Sequence, residues 1–201
     1  MSPRDPEQTR QAILDVAYRE FHERGFHETS LADILARTEL TKGALYHHFG
    51  SKDALGLAVV RELIADKIRE DWILPFRESD DPLACMKQVV TQGMASLEDA
   101  EVRQGCPLGN FSHELSTCHD EFRLAIQAIY EEWRQALSLS LHRGQAAGRV
   151  RGDVEPESVA ALFVALFEGA AGLMKNSQDR EPPMALMPAL LDYLNSLKPR
   201  D

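Results

Sequence analysis

From Ser30 to Lys52 the chain reads SLADILARTELTKGALYHHFGSK, two short helical patterns meeting at a tight turn. Ser30 stands where a helix needs a cap, and Asp33, three residues on, can answer the Ser30 backbone N–H in a capping box. Leu31, Ile34 and Leu35 then fall on one helical face. The pattern stops at Thr38-Glu39-Leu40, and Thr41 offers a second cap ahead of Lys42 through Phe49. In that second helix Leu45 and Phe49, four apart, anchor one face on a core. Lys42, Tyr46 and His47 are left on other faces, as polar groups able to donate to phosphate or base edges. Helices of under three turns are marginal alone in water, so their flanks must support them.

The flanks are suited to this. Ile13, Leu14, Ala17, Tyr18 and Phe21 give residues 7–24 an apolar helical face, and Gly25 stops the helix after Arg24. On the other side Gly50 and Ser51 break and recap the chain. Leu55, Val59 and Leu63, with Val60, Ile64 and Ile68, form a longer stripe that predicts a helix over 51–78, able to tie the small head to the remainder of the chain.

Gly25-Phe26 followed by Thr29-Ser30, then the unbroken run from Thr41 to Lys52, resemble the DNA-binding domain of the TetR family of transcriptional repressors. The resemblance is close over about the first 55 residues; beyond them the chain matches the family in being helical and of suitable length. It departs at Glu39, where the turn usually carries Gly, and at Leu35, where a small Ala is frequent. A left-handed Glu39 would cost on the order of 1 kcal/mol. The resemblance implies that Thr41, Lys42, Gly43, Ala44 and His47 face the major groove. It also implies that Tyr46, His48 and Lys52 grip phosphates and that Ser30 touches backbone at the start of the first helix. A lysine opening a recognition helix can reach guanine O6 and N7, which makes Lys42 the candidate base contact. Taken singly these residues also read as solvated helix surface, and His48 as a packed histidine. The Thr41–Lys52 run matching as a unit decides for DNA.

Composition first argues the other way. The 201 residues carry 22 Lys and Arg against 32 Asp and Glu, a formal charge of −10, and nucleic acid repels acid. Residues 1–52, however, hold seven Lys or Arg and eight Asp or Glu, so the excess acid lies beyond them. Binding then rests on a few placed cations and N–H groups, and two heads are needed for useful affinity, which predicts a homodimer on palindromic double-stranded operator DNA.

The expected fold is all-α, with about nine helices: a three-helix helix-turn-helix domain over 1–52 (the motif itself about 30–49) and a helical effector-binding and dimerisation domain over 53–201. Pro82 opens a stripe of Leu83, Met86, Val90 and Leu97 that ends near acidic 98–101. Pro107 opens a shorter segment to about Ser116. Phe122, Ile126, Ile129, Trp133, Leu137 and Leu141 run at spacings of three and four up to the Gly144–Gly152 region. Pro156 begins a helix apolar on most of its circumference, and after a break at 177–183 a last helix holds Leu186, Leu190, Leu191 and Leu194. A helix apolar nearly all round must be covered on more than one side. The small residues Gly169, Ala170, Ala171 and Gly172 would let a symmetry mate come close, with Leu190 and Leu194 from the last helix; burial within one chain is the competing reading. The family resemblance likewise implies a dimer through a four-helix bundle of the last two long helices of each subunit.

Met94, Phe111, Trp133, Phe163, Phe167 and Met174 can supply a greasy cavity for a small-molecule effector, with Glu168 or His113 as polar fixers; such stripes also read as plain core. Cys106, just before Pro107, sits at a helix start where the dipole favours the reactive thiolate, and so joins the effector set as a candidate sensor of oxidants or electrophiles. Similar GC-containing segments occur in a TetR subgroup, and some members respond to thiol chemistry. A small buried residue at a helix start is the plainer reading. The rival class, a metal protein or enzyme, has His113-Glu114 with Cys118-His119 as its material. A zinc protease face would need a second histidine at 117, which is Thr, so no metal site, cofactor or catalytic residue is expected.

Cys85, Cys106 and Cys118 form no CxxC pair and suit a reducing compartment. Met1–Thr9 is polar and unlike a leader, and the most apolar stretch, Val159–Phe167, is broken by Glu168 and too short to span a bilayer, which together predict a cytoplasmic protein with no membrane partner. The function expected is a DNA-binding transcriptional regulator: a repressor released by a hydrophobic or thiol-reactive effector. An activator or ligand-independent regulator of the same fold, and remotely a metal-binding helical protein, are the alternatives.

Overall fold

The computed structural model describes residues 6–38 and 40–200. Glu39, the turn position where a left-handed residue would be costly, lies outside them. The described chain is helical throughout and contains no strand. In order, the helices are α1 (Pro6–Arg24), α2 (Leu31–Ala36) and α3 (Lys42–His48), followed by α4, which runs unbroken from Lys52–Ala58 to Leu74–Glu78. After it come α5 (Pro82–Ser96), α6 (Asp99–Gln104), α7 (Pro107–Leu115), α8 (Asp120–Ala146), α9 (Pro156–Ser177), a single turn at Glu181–Met184, and α10 (Met187–Ser196).

Within α4 two stretches, Val59–Ile64 and Arg69–Ile73, are wound more loosely than an α-helix. There the Ala65 N–H reaches the Val60 carbonyl and the Leu74 N–H the Arg69 carbonyl, each an i→i−5 bond.

The chain folds as two compact units. One holds the residues up to Asp66 together with Pro107–Gln127; the other holds Lys67–Cys106 together with 128 onward. In the first, Ile13, Leu14, Ala17 and Phe21 of α1 meet Ile34 of α2, Leu45 of α3 and Leu55, Val59 and Val60 of α4, all buried. Gly25, at φ +89°, turns the chain after α1, its N–H donating to the Phe21 carbonyl at 2.9 Å. In the second unit the core is Ile73 and Phe76 of α4, Leu83 and Met86 of α5, Trp133, Leu137 and Leu141 of α8, Phe163 and Val164 of α9, and Leu190 and Leu194 of α10.

One expectation is borne out and extended, and one is corrected. The helix opened by Pro82 ends at Ser96, next to acidic 98–101 as expected, and that run in turn opens α6, where the Glu98 N–H donates to the Glu101 side chain at 3.0 Å. Acidic side chains suit the positive end of a helix, so that run marks a start. The apolar segment around Val159–Phe167 belongs to a 22-residue helix, long and apolar enough by composition to cross a membrane, of which only 33% of the most apolar window is buried inside the chain.

Candidate functional site

Caps set the start of each short helix in the head. The Ser30 hydroxyl accepts the Asp33 N–H at 3.1 Å while the Asp33 carboxylate accepts the Ser30 N–H at 2.8 Å and its hydroxyl at 2.6 Å, the anticipated capping box. The Ser30 hydroxyl and N–H, helped by the Arg24 guanidinium 3.3 Å away, hold the Asp33 carboxyl down at about 2, below its ordinary 3.8. Thr41 caps α3 by accepting the Ala44 N–H at 3.2 Å, and Ser51 caps α4 by accepting the Ala54 N–H at 3.0 Å.

Below α3, Leu45 and Phe49 are buried as their spacing predicts. The Arg10 guanidinium lies 5.2 Å from the Phe49 ring centre and grips Glu62 through both its nitrogens at 2.6 and 2.7 Å, joining α1 to α4. Hydrogen bonding to Glu62 raises Arg10 above its ordinary pKa, and the same bonds hold Glu62 below its own. Above the core, Ser30, Thr41, Lys42, Gly43, Tyr46 and His47 are exposed, while Ala44 and His48 are half-buried. A methyl group on Gly43 would meet only the Thr41 hydroxyl, at 3.9 Å, so nothing inside the chain requires a glycine there. The Lys42 ammonium stands 5.7 Å from the Tyr46 ring centre. Lys52 is half-buried, its ammonium donating to the His27 carbonyl at 3.2 Å and lying 4.6 Å from the Phe26 ring centre.

The loop between α1 and α2 holds residues whose roles the sequence pattern alone does not single out. Thr29 is fully buried, and its hydroxyl donates to the Gly25 carbonyl at 2.8 Å and reaches that of Glu20 at 3.1 Å. Glu20, itself buried, pairs with Arg24 at 3.6 Å and Arg37 at 3.3 Å, which ties α1 to the end of α2. A glutamate on the inner face of α1 is the signal that could have found this cluster, because buried acid requires a partner.

The seven expected effector residues are divided between the two units. Trp133 and Phe167 come together with Trp72, at ring-centre distances of 3.9 Å (Trp72–Phe167), 5.3 Å (Trp72–Trp133) and 5.3 Å (Trp133–Phe167). Trp72 extends the Ile64, Ile68 stripe by four and is legible on that spacing. The Trp133 indole N–H is buried without a hydrogen-bond acceptor among the described residues. Phe163 packs on Phe76 at 6.2 Å, and Met94 is half-buried. Cys106 is half-buried in the same unit, its thiol donating to Glu168 at 3.4 Å. Phe111 and His113 fall in the other unit. Phe111 sits among Phe21, Phe26 and Phe122, because Leu108, Phe111 and Leu115 form the buried face of α7, and His113 is exposed on the opposite one.

The dimer set divides as well. Ala171 is buried within the chain, its carbonyl 3.3 Å from where a Cβ on Gly105 would lie, and Leu190 and Leu194 are core residues of their own unit. The side of α9 that stays open carries Leu162, Gly169, Gly172 and Leu173; both glycines have open space around them, and Ala170 is half-buried. No group of three or more His, Cys, Asp or Glu able to hold a metal occurs among the described residues. Glu114, the centre of the rival metal reading, has both carboxylate oxygens on backbone N–H groups, those of Phe26 and His27.

Comparison with known proteins covers both units. Residues 13–59 match the family described as bacterial regulatory proteins, tetR family, and residues 82–190 match a tetracyclin repressor-like C-terminal domain. The HTH-type transcriptional repressor DhaR of Mycobacterium sp. (strain GP1) is 32% identical, covering 86% of this chain and 85% of that protein. The HTH-type transcriptional regulator TtgR of Pseudomonas putida is 29% identical over 82% of this chain and 79% of its own. Among solved structures, a TetR-family transcriptional regulator from Cytophaga hutchinsonii superposes with a TM-score of 0.86 over all of both chains at 23% identity, a likeness of fold.

Proposed function

The chain belongs to the TetR family of bacterial regulators, and from that premise we propose that it is a dimeric repressor whose 1–52 head reads operator DNA and whose 53–201 body binds the effector that releases it. The observation that carries the reading is α3 itself: a capped helix anchored underneath by Leu45 and Phe49, with Thr41, Lys42, Gly43, Tyr46 and His47 turned to solvent. An exposed glycine inside a helix costs about 1 kcal/mol relative to alanine, and here no neighbour in the chain asks for it. Close approach of a DNA backbone or base edge gives it a use.

We assign Thr41, Lys42, Gly43, Ala44 and His47 to the major groove and Ser30, Tyr46, His48 and Lys52 to phosphates. Lys52 reaches a phosphate with the donors left after its bond to the His27 carbonyl. The open strip of Leu162, Gly169, Gly172 and Leu173 on α9 is the proposed centre of the dimer contact, displacing Ala171, Leu190 and Leu194 from that role. Two heads then present α3 to successive major grooves roughly 34–36 Å apart.

For the effector, the support is the cluster of Trp72, Trp133 and Phe167 with a buried indole donor lacking an acceptor. That combination fits a largely apolar molecule bearing an acceptor oxygen. Cys106 remains the candidate for a thiol-reactive one. Such regulators act in the cytoplasm on DNA, and the DhaR and TtgR relatives are regulators rather than enzymes.

The test is selection of duplexes from a random pool by the full-length protein, followed by gel shifts. A palindrome should emerge, bound by the dimer, and Lys42→Ala should relax the choice of base at one position in each half-site. Enrichment of no sequence would sink the reading. Gly169→Glu should give monomers in sedimentation, and an unchanged dimer would place the interface elsewhere.

A further inference from the structure

We infer that Glu114 is a positioning residue for operator binding: from α7, remote in sequence from the DNA-reading helices, it holds the loop that presents them. Its carboxylate accepts the Phe26 N–H at 2.9 Å through one oxygen and the His27 N–H through the other. Two amides on one carboxylate make charge-assisted bonds, the stronger kind, and they fix the loop's direction as well as its place.

The surrounding residues leave that loop one position. Gly25 adopts φ +89°, a conformation that favours glycine, and a Cβ on it would lie 3.3 Å from the Glu114 carboxylate and press on it. The Phe26 ring is enclosed by Phe21, Phe111 and Phe122, with ring centres 5.1, 6.1 and 5.2 Å away, and a Cβ on Gly56 would come within 2.5 Å of it. Lys52 takes the carbonyl of His27, and Thr29 is bolted to the Gly25 carbonyl. The next residue, Ser30, caps α2, and α3 begins at Lys42, soon after α2 in the chain. Glu114 is therefore the anionic member of a clasp in which Lys52 is the cation and the other parts are apolar or local, and the direction in which α2 leaves the loop is set there.

This inference rests on the DNA-binding reading, and the experiment separates the two. Full-length wild type, Glu114→Gln and Glu114→Ala are titrated with a palindromic duplex selected by the wild-type protein, at low temperature, with active fractions fixed by stoichiometric titration. Partial unfolding then lowers the active fraction without altering Kd. Glu114→Ala should weaken operator binding about tenfold, and Glu114→Gln, which keeps an acceptor oxygen, should recover part of the loss. Binding to a scrambled duplex should change less, since non-specific contacts need cations and not a fixed helix direction. A Kd for both variants equal to wild type, whatever happens to melting temperature, overturns the role. A wild-type protein that enriches no duplex removes the DNA reading and this inference with it.

Discussion

In residues 25–52 the polar groups at helix ends are answered one by one by named neighbours: Ser30 with Asp33, Thr41 with Ala44, Thr29 with Gly25. Around Trp133 the order comes from shape, with two indoles and a phenyl ring in contact and one indole N–H left without an acceptor. The first region is specified mostly by short-range rules, each worth little, with the Glu114 carboxylate on the Phe26 and His27 N–H groups as the long-range exception. The second is specified by packing, which many sequences satisfy.

The comparison breaks most easily at its packed end. Trp133→Ala empties a fully buried site and should cost about 3–5 kcal/mol in urea denaturation, whereas Trp133→Phe should cost far less. A loss under about 1 kcal/mol for the alanine variant would mean the body is not held by that cluster. Gly56→Ala tests whether the head also contains a packing-determined point. Its Cβ would lie 2.5 Å from the Phe26 ring and 3.0 Å from that of Phe122, and overpacking of this kind costs about 1–3 kcal/mol, read from the same denaturation curves.

Smaller effects belong to the capped end. Ser30→Ala should lower stability by about 1 kcal/mol, with the loss of α2 protection visible in hydrogen exchange. The weakest test uses pH. Asp33 is held at about 2 against an ordinary 3.8, so the folded protein binds that proton less tightly than the unfolded chain. Its contribution is complete above 3.8 and drains away as pH falls through about 2. Comparing the acid limb of the urea midpoint with that of Asp33→Asn should show a shallower slope in the variant. Equal slopes would detach Asp33 from acid stability.

The same division governs how much of the molecule is legible in its sequence. Caps at Ser30, Thr41 and Ser51, the anchors Leu45 and Phe49, and the stop at Gly25 follow from rules spanning four residues, and all are found in place. Long helices are legible from period alone. The grouping of the aromatic residues is not, because Phe111 and Trp133 look alike in sequence and only tertiary placement sends one to the Phe26 cluster and the other to Trp72. The small residues on α9 do not share one environment: Ala171 meets the Gly105 region of its own chain while Gly169 and Gly172 stay open. Glu114 is invisible as a clasp, since nothing local ties residue 114 to residues 26 and 27.

The loose winding at Arg69–Ile73 bears on insertions and deletions. Arg69 and Arg77 both reach Glu132, at 2.9 and 3.0 Å. Eight residues of plain α-helix would set them about 80° apart around the axis, at about 100° per residue. Absorbing one residue into a wider turn leaves seven α-like steps and about 20° between them. Removing any one residue between them would restore ordinary winding, yet the shortened α-helix would still point both arginines to one side, with about 20° between them. This segment, like Val59–Ile64, therefore behaves as an α-helix carrying one accommodated insertion, and a one-residue deletion should be tolerated within these two stretches more readily than elsewhere in α4.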